Sequence, residues 1–256
     1  MAQSGEARKR LEPLLRQLGS GSNPGLLFLG GSQGSGKSTL ARRLAEEGRA
    51  AVLSLDDFYL SRRERERLAA KVSPLFTTRG PPGTHDLRGL NEVLDALLEE
   101  RETTVPRFDK LRDERAEAHQ VVRPAPLIVL EGWLLGALAD PKALGEPPMN
   151  EVEACDRDGA WRRYQEELLA CDYAALFDRA DAFAYLLPRR FEQVHDWRCR
   201  QEEDLLGIER GTLPPTRRTE LSRFVMHFER LTRRMMEGQR REGRAITLDS
   251  SHRPLP

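Results

Sequence analysis

The chain has 256 residues, with 41 lysines and arginines against 41 aspartates and glutamates and a sequence pI near 7.0. That length allows one well-filled core with a small lid or insertion. The charge balance excludes a domain-wide basic face for nucleic acid, although local arginine patches stay compatible with it. Cys155, Cys171 and Cys199 show no metal-type pairing and read as buried thiols in a reducing compartment. With no signal peptide and no long apolar run, the expectation is a soluble cytoplasmic protein without a membrane partner.

Residues 4–18 predict a short helix with Leu11, Leu14, Leu15 and Leu18 on one stripe, and Pro13 either tolerated early or marking the true start. The GSGSNPG run, Gly19 to Gly25, is a joint, so residues 1–25 are expected as a helix and linker ahead of a main unit at 26–256. Leu26 to Leu29 is an apolar strand. After it the chain fits G-x-x-x-x-G-K-[ST], with Gly31, Gly36, Lys37 and Ser38 in the fixed places. Glycines there let successive N–H groups converge on one phosphate. The predicted phosphate-binding residues are therefore Gly31, Ser32, Gln33, Gly34, Ser35, Gly36, Lys37, Ser38 and Thr39.

Lys37 to Glu47 predicts a helix, closed by Gly48, and Ala50 to Leu55 a second strand that ends in Asp56, Asp57, Phe58 and Tyr59. Strand, helix and strand in this order imply a right-handed parallel crossover, which sets Asp56 and Asp57 on the same sheet edge as the phosphate loop. Arg62 to Arg67 reads as a solvated helix, and Arg79 to Asp86 (RGPPGTHD) as a stiff loop presenting His85 and Asp86. Leu87 to Leu98 is an amphipathic helix. Thr103 to Pro106 is extended and leads into Arg107, Phe108, Asp109 and Lys110, with an exposed flap at 112–119. Leu127 to Leu130 is the most apolar strand and Glu131-Gly-Trp133 stands at its end. Pro141 to Pro148 reads as a loop, Asp158 to Leu169 as a helix and Ala182 to Leu187 as a strand. Pro188 opens a helical stretch through Leu206, Thr216 to Met236 is one helix with Leu221, Phe224, Val225, Phe228 and Leu231 packed in the core, and Arg244 to Leu248 is the last strand. The alternation makes the class α/β with a mostly parallel sheet.

A phosphate loop between strand and helix points to a nucleoside triphosphate. None of Asn23, Asn91 or Asn150 precedes a lysine, so the Asn-Lys-x-Asp guanine element is absent, and Asp86-Leu-Arg-Gly89 matches D-x-x-G only after a Pro-Gly loop. A GTP switch is thereby disfavoured. Asp56, Asp86 and Glu131 around one pocket suit a kinase, which needs one carboxylate to accept the hydroxyl proton and another near the metal. Glu131 and the Ser38 hydroxyl are the candidates for Mg²⁺. Arg198 and Arg200 sit two apart and do not share a helix face, so one at most reaches phosphate, from a lid spanning roughly 189–215.

Ser54-Leu-Asp-Asp-Phe-Tyr59 resembles the strand-end motif of the P-loop kinases that include uridine kinase, phosphoribulokinase and pantothenate kinase. Gly83-Thr-His-Asp86, Pro106-Arg-Phe-Asp-Lys110, Glu131-Gly-Trp133, Trp197-Arg198 and Leu248-Asp249 resemble one branch, the D-glycerate 3-kinases and their bacterial kinase-like relatives. The resemblance runs from about Leu26 onward. It implies a nucleoside-kinase-like, three-layer P-loop NTPase fold with a helical lid, ATP and Mg²⁺ as cofactors, and Asp56 as catalytic base; Lys37 by its place in the phosphate loop and Arg198 by its place in the lid are the candidates to stabilise the transferring phosphoryl group. It also implies phosphorylation of the primary hydroxyl of D-glycerate to 3-phosphoglycerate.

The residues themselves fit a small hydroxy acid, which needs a cation for its carboxylate and an acid for a hydroxyl. Arg79, Arg107 and Lys110 are the candidate cations, Asp86 and Asp109 the candidate hydroxyl acceptors, with Tyr59 and His85 beside them. Several bland readings stay open: Asp57 fits a helix cap as well as a direct role, His85 a loop support, and Arg107 and Lys110 solvated charges. The segment from Asp249 to Arg253 fits an adenine border or a plain tail. Pantothenate, a nucleoside or another polyol are the alternative acceptors, and a non-catalytic nucleotide-binding protein is the remaining class.

Overall fold

Residues 26–29 and 127–130 are apolar without alternation, the pattern of strands buried on both faces, and they lie side by side at the centre of the sheet. A computed structural model of the chain describes residues 3–255, so Met1, Ala2 and Pro256 of the expected units lie outside the described residues. In chain order the elements are α1 (Gln3–Leu18), β1 (Gly25–Gly31), α2 (Lys37–Glu46), β2 (Ala51–Ser54), α3 (Arg62–Lys71), α4 (Leu87–Leu98), β3 (Thr103–Val105), β4 (Phe108–Asp109), β5 (Glu114–Arg115), β6 (Gln120–Val122), β7 (Leu127–Gly132), α5 (Glu151–Ala154), α6 (Ala160–Ala170), α7 (Asp172–Phe177), β8 (Ala182–Pro188), α8 (Glu192–Leu206), α9 (Pro215–Met226), α10 (Glu229–Met236) and β9 (Arg244–Leu248).

The main sheet is parallel throughout, in the order β2-β7-β1-β8-β9. Side chains alternate across it. Leu26 and Phe28 of β1 join Ile128 and Leu130 in a core closed by α4, α7 and α10, while Leu27 and Leu29 join Leu186 and Ile246 in a second core under α1 and α2. Helices on both faces of a five-stranded parallel sheet make the three-layer α/β fold of a P-loop NTPase. All five strands run the same way, so Gly31, Ser54, Gly132, Pro188 and Leu248 end at one edge.

The leading helix forms as expected with Pro13 tolerated inside it, not marking its start, and its stripe of Leu11, Leu14, Leu15 and Leu18 packs on the sheet. Several other expectations are corrected. Pro188 closes β8, and the helix begins at Glu192. The stretch 216–236 is two helices, because the chain turns at His227–Phe228 to seat the Phe228 ring against Trp133 at 4.9 Å. Residues 141–145 form a 3-10 turn inside the expected loop. β3 pairs with β6 outside the main sheet. The expected flap folds as a β4–β5 hairpin, with Asp113, Glu114 and Arg115 half-buried. Arg65, expected on a solvated helix, is 1% exposed, because Leu60 O, Thr77 O and Asp113 accept all the donors that face inward. Cys199 is buried as expected, but Cys155 and Cys171 are exposed.

Candidate active site

The strand ends open onto a cleft of about 1870 Å³. That exceeds what one small ligand fills, as a site for two substrates requires. Along one wall the phosphate loop turns through Gly31, Gly34 and Gly36, whose φ angles are 149°, 73° and 94°. Gly34 is fixed by a close approach as well: a Cβ there would come within 2.6 Å of the Trp197 Cβ on α8. Residues 33–39 line the cleft, and the N-terminus of α2 points its unpaired N–H groups into it. Gly31 and Ser32 stay behind the wall at the end of β1. The Ser35 hydroxyl is buried at the cleft without a protein partner, a donor available to an anion.

Lys37 is buried and donates to the Ser32 carbonyl at 2.9 Å. Burial lowers its affinity for a proton, and the carboxylates of Glu131 and Asp56 work against that. Glu131, at the end of β7, is 6% exposed; its Oε1 accepts from Ser38 at 2.9 Å and from Ser54 at 2.7 Å. The two candidates for a metal are therefore in direct contact.

Asp56 sits in a 3-10 turn, Leu55–Phe58, just past β2. Tyr59 donates to its Oδ1 at 2.6 Å and Lys110 to its Oδ2 at 2.5 Å. Burial raises the Asp56 carboxyl, but the Lys110 ammonium, the Tyr59 hydroxyl and Lys37 outweigh it and hold the group well below the usual carboxylate range. Lys110 is raised in turn, chiefly by Asp56. Arg79 completes this end of the cleft. Its guanidinium lies between the rings of Phe108 and Phe224, at 5.6 and 5.7 Å, and Nη1 donates to Asp113 at 2.5 Å.

Other predicted residues are employed elsewhere. Asp86 caps α4, accepting from Gly89 at 2.9 Å, and meets Arg115 at 3.3 Å. Asp109 accepts from the N–H groups of Leu111 and Arg112 and shapes their turn. Arg107 bonds Gln120 and Asp57, and Asp57 accepts from the Phe108 N–H, tying the hairpin to the Asp56 turn. His85 is buried behind Tyr59, ring to ring at 5.0 Å, with Nδ1 on the Tyr173 hydroxyl at 2.7 Å. Burial pushes it down to about 4, so the ring is neutral at physiological pH. None of these five lines the cleft.

Arg198 and Arg200 both border the cleft. Arg198 pairs with Glu202 at 2.7 Å and lies over Phe224 at 5.8 Å; Arg200 donates to the Ser250 carbonyl at 2.9 Å. Residues for which the sequence signalled no role of this kind are found beside them. Phe224 was expected only as core, yet the guanidinium groups of Arg79 and Arg198 both lie over its ring, at 5.7 and 5.8 Å. Asp113 anchors Arg79 from a left-handed backbone with φ 55°. His252 stacks on Trp197 at 4.5 Å and donates through Nε2 to the Gly34 carbonyl at 2.7 Å, so the last turn of the chain supports the phosphate loop.

A phosphate loop on a parallel sheet edge, facing a carboxylate across one cleft, defines the class as a P-loop protein with kinase-type organisation. An AAA domain family model matches residues 26–125. The kinase mug58 of Schizosaccharomyces pombe is 32% identical over 243 residues, 86% of this chain and 84% of that protein. The chain therefore belongs to the same family, the P-loop kinases of the uridine kinase-like group. A uridine kinase of Alkaliphilus metalliredigens is 32% identical over 120 residues, 45% of this chain and 55% of its own length. Among solved structures, a D-glycerate 3-kinase from Cryptococcus neoformans shares the fold with a TM-score of 0.78 at 21% identity, covering 100% of this chain and 98% of its own. No helix among the described residues is long and apolar enough to cross a membrane.

Proposed function

We propose that the protein is an ATP-dependent kinase that phosphorylates the primary hydroxyl of D-glycerate, giving 3-phosphoglycerate. One observation carries the reading: a carboxylate, Asp56, and two cations, Arg79 and Lys110, share one end of the cleft whose other wall is the phosphate loop. A small anionic alcohol needs that set, with an acid for the hydroxyl and a guanidinium fork for the carboxylate. Lys37 and the N–H groups of residues 34–38 hold the outer phosphates, and Arg198 neutralises the transferring group from a lid of roughly residues 189–215, itself part of the 26–256 kinase unit, that excludes water.

Mg²⁺ fits the donors present, a hydroxyl and a carboxylate in contact at 2.9 Å on Ser38 and Glu131, since this ion takes oxygen ligands and keeps several waters. When bound it neutralises charge on the phosphate oxygens. In the transfer, Asp56 accepts the hydroxyl proton as the acceptor oxygen bonds to the γ-phosphorus. The bond to the β,γ-bridging oxygen breaks, ADP leaves, and Asp56 returns its proton to solvent. Asp56→Asn should bind ATP as the parent does and lose transfer by roughly a hundredfold or more. Unchanged turnover would remove Asp56 as the base. A larger acceptor such as a nucleoside or pantothenate is the second reading, favoured by the aromatic rings of Trp133, Phe224 and Phe228 on the cleft wall.

A further inference from the structure

Both oxygens of the Asp56 carboxylate are occupied, Oδ1 by Tyr59 and Oδ2 by Lys110. The two cations nearby are held very differently. Arg79 is fixed, with the Phe108 and Phe224 rings 5.6 and 5.7 Å from its guanidinium, Asp113 as its ion-pair partner and a side chain only 15% exposed. Lys110 follows β4 in the hairpin turn, its side chain is 43% exposed, and its ammonium is held by Asp56. The two residues are neighbours, with Arg79 Nη2 3.5 Å from the Lys110 carbonyl oxygen. An ammonium on a base both weakens its pull on a proton and takes the oxygen that an acceptor hydroxyl must reach. Around the same network stand Lys37, Asp57, Glu131 and the neutral His85.

Resting on the reading of Asp56 as the base, we infer that Lys110 is a latch on that base, released by an acceptor that brings its own carboxylate. The incoming anion docks on the fixed Arg79 fork and draws the half-exposed Lys110 away from Asp56. The freed Oδ2 then accepts the acceptor's hydroxyl. A neutral alcohol supplies no competing anion and meets an occupied base. Lys110 is thus a specificity-determining residue, selecting acceptors by charge before any fit of shape.

The test compares ADP release by the wild type, Lys110→Met and Lys110→Arg with MgATP and either D-glycerate or glycerol, which keeps a primary hydroxyl and lacks the carboxylate. A hydrogen bond to a charged group is worth enough to change a rate by roughly tenfold. Lys110→Met should lose about that factor on D-glycerate and rise severalfold above the wild type on glycerol, whereas Lys110→Arg keeps the preference. Glycerol turnover unchanged in Lys110→Met would overturn the latch, because a lysine that only binds carboxylate has no effect on a neutral acceptor.

A second arm needs no acceptor: ATP hydrolysis with propionate, an anion without a hydroxyl. Propionate should stimulate hydrolysis by the wild type severalfold and leave Lys110→Met, already raised, unaffected. No stimulation, together with unraised hydrolysis in the variant, overturns the latch whatever the true acceptor is. Stimulation without turnover of D-glycerate instead overturns the choice of acceptor and leaves the latch supported.

Discussion

Tyr59→Phe removes one hydroxyl and keeps the ring in its place, 5.0 Å from His85 and 5.1 Å from Phe108. What is lost is the 2.6 Å hydrogen bond to Asp56 Oδ1. Such a bond to a charged acceptor is worth about 1.5–3 kcal/mol, or roughly one to two pKa units. Asp56 lies below its ordinary 3.8 because Lys110, Tyr59 and Lys37 together outweigh burial, so losing Tyr59 moves it upward. A carboxyl depressed in the folded state stabilises the fold above its unfolded pKa, and that contribution is lost only as pH falls through the folded value. Tyr59→Phe should therefore be less stable by up to that amount, with a deficit constant from about pH 5 to 9 in urea melts. Tyr59 itself is held well above 10 by burial and by Asp56, so it does not titrate in that window. A deficit that varies between about pH 5 and 9, or no deficit at all, refutes the reasoning.

Three further changes test the frame around the site. Gly34→Ala forces a side chain into the left-handed region at φ 73°, costing about 1–2 kcal/mol, and drives its Cβ against Trp197. Nucleotide affinity and Tm should both fall, more than in Gly36→Ala, whose Cβ meets nothing within 4 Å; equal effects would contradict the packing role of Gly34. Arg65→Met leaves the Leu60, Thr77 and Asp113 carbonyls without their donor while Arg79 still holds the Asp113 carboxylate, so denaturant melts should show a loss of about 1–3 kcal/mol. Phe224→Leu removes the ring shared by Arg79 and Arg198; at about 0.5–1 kcal/mol for each contact it should raise the acceptor KM through Arg79 and lower kcat through Arg198, each by roughly twofold to fivefold, and be restored by Tyr.

The strands and the phosphate loop were legible because their signals are local. An unbroken apolar run names a strand buried on both faces, and the glycine spacing fixes where the loop turns. Asp56 was legible for a topological reason, since a parallel crossover delivers the end of β2 to the same edge as the loop. What stayed hidden depends on distant partners. Arg65 sits in a run of charges that looks solvated, and only the carbonyls of 60, 77 and 113 justify its burial. The break at His227–Phe228 interrupts no helical spacing; it follows from the demand of Trp133 and Gly80 for one ring. Asp86 carried a readable signal, an aspartate just before an amphipathic helix, and the structure uses it as that cap. Asp113 carried none; the helical stripe marked Phe224 only as core, and the segment around His252 was legible as a border of the site but not as a support of the phosphate loop.

The central claim is tested most directly by ADP release from MgATP with D-glycerate, L-glycerate, pantothenate, uridine and ribulose 5-phosphate offered separately, with Lys37→Ala as the blank. Turnover with D-glycerate, yielding 3-phosphoglycerate and abolished in the blank, is the predicted result. Turnover confined to another acceptor contradicts the reading of Arg79 and Lys110, and no turnover by a protein that still binds ATP contradicts the assignment as a kinase of these acceptors.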